Sequence, residues 1–307
     1  MAENKPIALS KLSGSGNDFI CIANLDGSLD ALLDDPEKIS RFAQTLCHRG
    51  TGVGADGVIV ASQPEIPEAA DISARFLEAD GTEAELCGNG TACFVRWVCE
   101  NEWVKTSEVR ILTPAGVVLG KTKEDKYIQV CIPLPEDIRR GESVNVEGKN
   151  WTYDFAVTGV PHLVTYVKDL ENLDMERWGP ALRHHPKFQP RGVNANFVEP
   201  LDEGELMIRT FEFGVEGETL ACGTGSATAA FMAAQRFGWS EEYTKGEKPV
   251  LMHARSGDVL KVIFTMEEGA LVNFCLETRV RFAYVGSLHP DLAERALPEI
   301  RTSVENV

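Results

Sequence analysis

The chain contains no run of roughly 18 apolar residues, so nothing in it reads as a membrane span. Its start, MAENKPIALSKL, lacks the apolar stretch of a secretion signal. Basic residues are in deficit: 30 Lys and Arg stand against 47 Asp and Glu, a formal charge of −17. That balance argues against a nucleic-acid or anionic-membrane partner, and no Lys/Arg run offsets it locally. Phosphate-binding motifs are missing as well. GTGVGADG (50–57) and GSGNDF (14–19) are glycine-rich, but neither is a G-x-G-x-x-G set between strand and helix. There is no P-loop and no G-x-S-x-G nucleophile elbow, which excludes the common NTPase and serine-hydrolase classes. The eight cysteines include no CxxC and no zinc-like Cys/His spacing. They read as reduced thiols of a cytoplasmic, metal-free protein rather than as a disulfide framework.

What is present is an ordinary globular composition, 43% hydrophobic and 25% charged, over 307 residues, long enough for two domains. Two segments resemble each other. Residues 71–97, DISARFLEADGTEAELCGNGTACFVRW, and 205–231, ELMIRTFEFGVEGETLACGTGSATAAF, share one plan. Each is a β-rich run, a Gly/Glu-rich turn, Cys-Gly-x-Gly, then a small-residue helical stretch. GSGNDFI (14–20) pairs with RGVNANFV (191–198), and the strand-like runs of 109–134 pair with those of 249–285. Three collinear matches point to an internal duplication. The expected fold is α/β (α+β): two pseudo-symmetric halves, each a strongly bent, mostly antiparallel sheet around a central helix. Helices are expected at about 36–47, 89–101, 175–184 and 223–238. The halves are placed at 1–133, carrying Cys87, and 134–278, carrying Cys222, with a boundary near 133–148. The tail has a weak apolar stripe (Leu288, Leu292, Ala296, Ile300), interrupted by Pro298 and read as a packing or dimer-contact segment.

The two CGxG turns carry the strongest chemical signal. Cys87 and Cys222 each precede a helix whose first N–H groups are unpaired and whose dipole is positive there. Such a site should lower a thiol pKa and bind a carboxylate on its amides. The glycines admit a ligand close to the backbone. Packing about a pseudo-two-fold axis would bring both thiols to one cleft, where one removes an α-proton and the other reprotonates the opposite face. That is a racemase or epimerase layout. The other cysteines (Cys21, Cys47, Cys93, Cys99, Cys131, Cys275) read as core. Of six histidines, His162 in GVPHLV is best placed, where an apolar strand begins.

At residues 11–20, 50–57, 76–93, 159–162, 191–198 and 209–226 the chain resembles diaminopimelate epimerase. The CGNG…CGTG pair and the early GNDF carry that resemblance. It implies a pyridoxal-independent epimerase, needing no cofactor, with two mirrored α/β domains. The first domain would be completed by the last strand, about 279–287, within a C-terminal portion taken as 279–307. Carried over by position, Cys87 and Cys222 correspond to the base and acid thiols. The backbone of Gly88, Asn89, Gly223 and Thr224 corresponds to the carboxylate-binding helix ends, and Asn17 to a substrate-amine contact. His162 and Glu212 match polar helpers, and Asn194 matches a contact to the distal end of the substrate.

The departures lie at that distal end. Leu77-Glu78-Ala79-Asp80-Gly81 stands where family members typically have F-N-x-D-G, so Glu78 replaces an asparagine. Glu212-Phe213-Gly214 stands for E-R-G, so Phe213 replaces the arginine that clamps the distal carboxylate. Val160 and Gly57 stand where some members carry Asn and Gln. Phenylalanine cannot replace a bidentate arginine, and an added carboxylate repels another. Arg209 or Arg191 could restore the clamp. The expected activity is therefore epimerisation of LL- to meso-diaminopimelate in lysine biosynthesis. The alternative on the same scaffold is a racemase of a basic amino acid (histidine, lysine, ornithine or arginine). A related isomerase of a non-amino-acid carboxylate is weaker, and a non-catalytic amino-acid-binding protein is the alternative of another class. The expected partner is a small amino acid, with no nucleic acid or membrane, and a homodimer is left open.

Overall fold

The computed structural model describes residues 6–297. They form two compact units: one runs to Ile128 and resumes at Val280, and the other is Gln129–Arg279. The first holds β1 (Ala8–Gly14), β2 (Asn17–Asn24), α1 (Asp30–Leu33), α2 (Pro36–Cys47), β3 (Gly57–Ser62) and β4 (Ile72–Glu78). It continues with β5 (Glu83–Ala84), α3 (Gly88–Glu100), β6 (Glu108–Thr113) and β7 (Gly116–Thr122). After β8 (Tyr127–Cys131), the second unit holds β9 (Glu136–Val146), β10 (Lys149–Thr158), β11 (Val160–Tyr166), α4 (Met175–Arg183) and β12 (Asn194–Asp202). It ends with β13 (Glu205–Glu212), β14 (Gly217–Thr219), α5 (Gly223–Phe237), α6 (Glu241–Thr244), β15 (Val250–His253), β16 (Val259–Glu267) and β17 (Ala270–Ser287). The last helix is α7 (Pro290–Ala296).

The pairing shows the duplication strand by strand. In the first unit β2 is antiparallel to β1 and parallel to β3, and β3 is antiparallel to β4. Strand β4 pairs with β5 and, in parallel, with β6, which returns as β7. In the second unit β11, β10, β12, β13, β14, β15 and β16 repeat these relations in the same order. Helix α2 precedes β3 as α4 precedes β12, and α3 follows β5 as α5 follows β14.

Local chemistry explains the elements. GVIVAS of β3 is apolar almost throughout because it lies between a parallel and an antiparallel neighbour and is buried on both faces. Asp35 caps α2, accepting from the N–H of Glu37 and Lys38, and Pro36 fills the first helical position. Helices α3 and α5 are buried around most of their circumference, as central helices should be. Strand β17 pairs through its first part with β16 and, from Val280 to Ser287, with β1. The stretch 133–148 is mostly strand β9, inside the second unit.

The tail acquires a place. Leu288, Ala296 and Leu297 are buried in the cluster that includes Phe42 and Leu46 of α2, with Leu292 packed against it. Ile300 and Pro298 lie outside the described residues.

The cysteines correct one expectation. Cys131 and Cys275 are not core thiols: they form a disulfide between β8 and β17, and Cys131 is exposed. Cys99 is only half-buried. The partners are 144 residues apart, so no local spacing announces the bond; strand pairing creates it. It closes nearly the whole second unit into one loop, and such bonds typically stabilise by roughly 2–4 kcal/mol. Reduction or Cys131→Ser should therefore lower the urea midpoint of unfolding by a corresponding amount. Recovery of Cys131 and Cys275 as free thiols in a non-reducing peptide digest would contradict the bond itself.

Candidate active site

In the first unit Cys87 is the N-cap of α3, its extended backbone turning the chain from β5 into the helix. Its Sγ accepts from the Gly90 N–H at 3.4 Å, and the thiol lies 4.0 Å from Asn17 Oδ1, to which it donates. A Cβ at Gly88 would meet nothing within 4 Å, so the first helical residue presents open backbone. Asn89 is buried with its Oδ1 unpartnered. Asn17 opens β2 and donates its Nδ2 to Asp56 Oδ2 at 2.8 Å. Asp56 also accepts from the Asp18 N–H at 3.0 Å and from Arg49 at 2.8 Å. Asp18 in turn takes Arg49 at 2.6 Å and the buried Lys11 at 2.5 Å. Burial works against the Asp18 carboxylate, but hydrogen bonds from Arg49 and Lys11 outweigh it and lower its pKa. Glu78 ends β4, within reach of solvent; crowding by the protein, then the charges of Asp80 and Asp56, raise its carboxyl pKa.

In the second unit Cys222 is the N-cap of α5. Here the expected lowering of the thiol pKa is overturned. Burial pushes the thiol well up, and the nearby Glu212 carboxylate adds to the rise. The Gly225 N–H and Thr224 hydroxyl oppose this only in part, since a few partial charges cannot outweigh full desolvation. Cys222 rests as a thiol. A Cβ on Gly225 would come within 2.3 Å of Asn196 Oδ1 and 3.2 Å of Cys222 Sγ, so glycine is a steric requirement of this turn.

His162 is fully buried on β11, with Nε2 3.1 Å from Thr224 Oγ1 and Nδ1 3.3 Å from Asn196 Nδ2. The Asn196 amide N–H can only donate, so Nδ1 accepts and Nε2 carries the proton toward Thr224. Burial lowers the His162 pKa to about 3. The imidazole is therefore neutral and reaches Cys222 through Thr224, whose hydroxyl is 3.7 Å from Sγ. Between pH 6.5 and pH 3 the unfolded chain binds this proton and the native protein does not, so stability rises with pH across that window. Wild-type protein should lose up to about 1.4 kcal/mol per pH unit more than His162→Gln as pH falls from 6.5 to 4. Equal slopes of urea midpoint against pH in the two proteins would count against a buried neutral histidine.

Asn194 opens β12, accepts the Phe213 N–H on Oδ1 at 2.7 Å and directs Nδ2 at Cys222 Sγ, 3.9 Å away. The residue matched to the distal end of a substrate thus touches a thiol. Phe213 is half-exposed, and the guanidinium of buried Arg183 lies 4.6 Å from its ring centre, paired with Glu216 at 2.8 Å. Arg209 is not free to restore a clamp, because it holds Glu218 at 2.6 Å and the carbonyls of Leu170, Glu171 and Leu173. Arg191 is exposed and reaches the Gly159 carbonyl at 3.4 Å. Asp56 and Arg183 are the two residues that sequence reasoning missed. The first lay in a glycine-rich stretch weighed only for nucleotide binding, and the second carried no signal.

Among the described residues no three His, Cys, Asp or Glu side chains could together hold a metal ion, and no helix is long and apolar enough to cross a membrane.

Comparison with known proteins places these features in a family. The family model described as diaminopimelate epimerase matches residues 9–132 and 155–273. The diaminopimelate epimerase of Aquifex aeolicus is 40% identical over 261 residues, 83% of this chain and 89% of that protein. That of Archaeoglobus fulgidus is 37% identical over 239 residues, 74% of this chain and 81% of its own length. Among solved structures, a PhzF-family phenazine biosynthesis protein from Bacillus anthracis superposes with a TM-score of 0.68 at 17% identity, covering 93% of this chain and 99% of that one. A probable proline racemase from Agrobacterium radiobacter gives 0.66 at 15% identity, covering 94% and 95%. At such identities these two likenesses speak for the fold alone.

Proposed function

The chain belongs to the diaminopimelate epimerase family and is an isomerase, and on that premise we propose that it inverts the α-carbon of an amino acid by proton transfer between Cys87 and Cys222. The observation that carries this reading is that both cysteines cap equivalent helices of a duplicated fold, each with an asparagine amide at its sulfur. One sulfur, as thiolate, takes the α-proton; the other, as thiol, gives its proton to the opposite face, so that the carbon keeps its bonds and no electrons are lost. The high pKa of Cys222 suits a proton donor, and a strong base once ionised. The N–H groups beginning α3 and α5, at Gly88, Asn89, Gly223 and Thr224, would receive the substrate carboxylate. Asn17 would accept from its ammonium, and His162 and Glu212 would act beside Cys222 through Thr224 and directly. No cofactor enters this chemistry.

The substrate carried over from the relatives' names is diaminopimelate; our reading adds its LL- to meso-epimerisation, for lysine biosynthesis in the cytoplasm. A second reading, a basic amino acid, is favoured by Glu78 and Phe213, which set a carboxylate and an aromatic ring where an asparagine and an arginine are expected. Exchange of the α-proton for solvent deuterium, followed by mass spectrometry under reducing conditions, tests both readings. Exchange into diaminopimelate or into lysine, ornithine, arginine or histidine identifies the substrate. Binding without exchange into any of them would replace the enzyme reading with that of an amino-acid-binding protein.

A further inference from the structure

Two asparagines stand at corresponding places, Asn17 opening β2 and Asn194 opening β12, and each faces the sulfur at the head of the neighbouring central helix. Their amides are turned opposite ways, and in both cases the partner chemistry dictates the turn. Asp56 is a carboxylate and can only accept, so the Asn17 NH2 group must face it, at 2.8 Å. That leaves Oδ1, an acceptor, toward Cys87. The Phe213 backbone N–H can only donate, so Asn194 Oδ1 must face it, and the NH2 group is left toward Cys222. The assignment of oxygen and nitrogen thus follows from the partners.

We propose that Asp56 is a positioning residue: by pinning the Asn17 amide it presents an acceptor to Cys87 and makes that thiol harder to ionise, while Cys222 faces a donor. As a thiol Cys87 donates to Asn17 and accepts from the Gly90 N–H. As a thiolate it would keep the Gly90 bond and confront the Asn17 carbonyl dipole with its negative end forward. The charged groups gathered on this side are Lys11 of β1, Asp18 of β2, Arg49 and Asp56 before β3, and Glu78 of β4, with the Cys93 thiol farther along α3. Arg49 binds both aspartates and holds Asp56 in place, and Asp56 also takes the Asp18 N–H, so its carboxylate is fixed from three directions. The inference deepens the two-thiol reading but is tested without turnover.

The probe is iodoacetamide, with modification of the Cys87 peptide followed by mass spectrometry from pH 6 upward. It is applied to the intact protein and to Asp56→Asn, Asn17→Ala and the double variant. Asp56→Asn frees the Asn17 amide to turn its NH2 group toward sulfur. The Cys87 midpoint should fall by about one pH unit, making alkylation near neutral pH about tenfold faster. In the Asn17→Ala background the same substitution should add no comparable shift, because the amide that transmits it is gone. An unmoved midpoint in Asp56→Asn overturns the proposal. So does an equal shift in both backgrounds, which would mean that the Asp56 charge acts through space. If circular dichroism shows Asp56→Asn unfolded, Asn17→Ala alone decides: loss of the acceptor should lower the Cys87 midpoint, and an unchanged midpoint refutes the role of Asn17.

Discussion

Cys87→Ala and Cys222→Ala should each reduce racemisation by at least ~100-fold and up to ~10,000-fold, the usual worth of one general acid or base. The α-hydrogen of an amino acid is a very weak acid, so neither its removal nor the return of a proton can be left to water. The two variants are not expected to fail alike in partial reactions. With one sulfur kept, a thiolate can still remove the α-proton of one enantiomer and return solvent deuterium to the same face. Exchange without inversion in one direction is therefore the diagnostic residue of activity. Cys→Ser at either position should keep less of it than its size suggests, since an alkoxide is far harder to form than a thiolate. Loss of fold is not the cause to be feared at Cys87, which is half-buried: alanine removes the bond from the Gly90 N–H to Sγ but keeps that from the Thr91 N–H to the Cys87 carbonyl. Cys222 is buried, so circular dichroism and the urea midpoint must accompany its kinetics. Turnover within a few-fold of wild type in either alanine variant would end the two-thiol account.

Much of this site can be read from the letters alone. Cysteine ahead of Gly-x-Gly and a small-residue run is a local pattern, and a helix cap is set by local chemistry, so Cys87 and Cys222 fall where the sequence puts them. The duplication is legible for the same reason: β-rich run, turn and helix recur, and the pairing of β2 through β7 is repeated by β11 through β16. What escapes the sequence is what long-range packing decides. The Cys131–Cys275 bond joins strands 144 residues apart. The raised pKa of Cys222 reflects how completely the fold dehydrates it, which the positive helix end alone would misjudge. Arg209 looks available as a letter, but in the fold it is saturated by Glu218 and three carbonyls. Arg183 looks incidental and lies against Phe213.

That last contact bears on the substrate. Exchanging Phe213→Arg together with Glu78→Asn should raise the ratio of kcat/KM for diaminopimelate over that for lysine by roughly 30-fold to several-thousand-fold. The range follows from ~2–5 kcal/mol for a buried, hydrogen-bonded charge pair, at about 1.4 kcal/mol per factor of ten. Phe213 is tied to the Cys222 sulfur through two hydrogen bonds, its N–H to Asn194 and the Asn194 NH2 to Cys222. Its ring lies over Arg183, but that guanidinium is buried and already committed to Glu216 and the Arg191 carbonyl. A distal carboxylate beside Phe213 would therefore have to draw Arg183 from Glu216, whereas a distal ammonium would meet the aromatic face, and in the proposed reading the Glu78 carboxylate adds to its attraction. Since Glu78 has a raised pKa, selectivity for a cationic distal end should strengthen as pH rises and the carboxylate ionises. The wild-type ratio separates the two substrate readings: a value clearly favouring diaminopimelate removes the basic amino acid, and Arg183→Gln should then lower it, exposing Arg183 as the clamp. If the double exchange leaves the ratio where it was, neither position senses the far end of the substrate, and the choice between the two amino-acid classes must be made by other side chains.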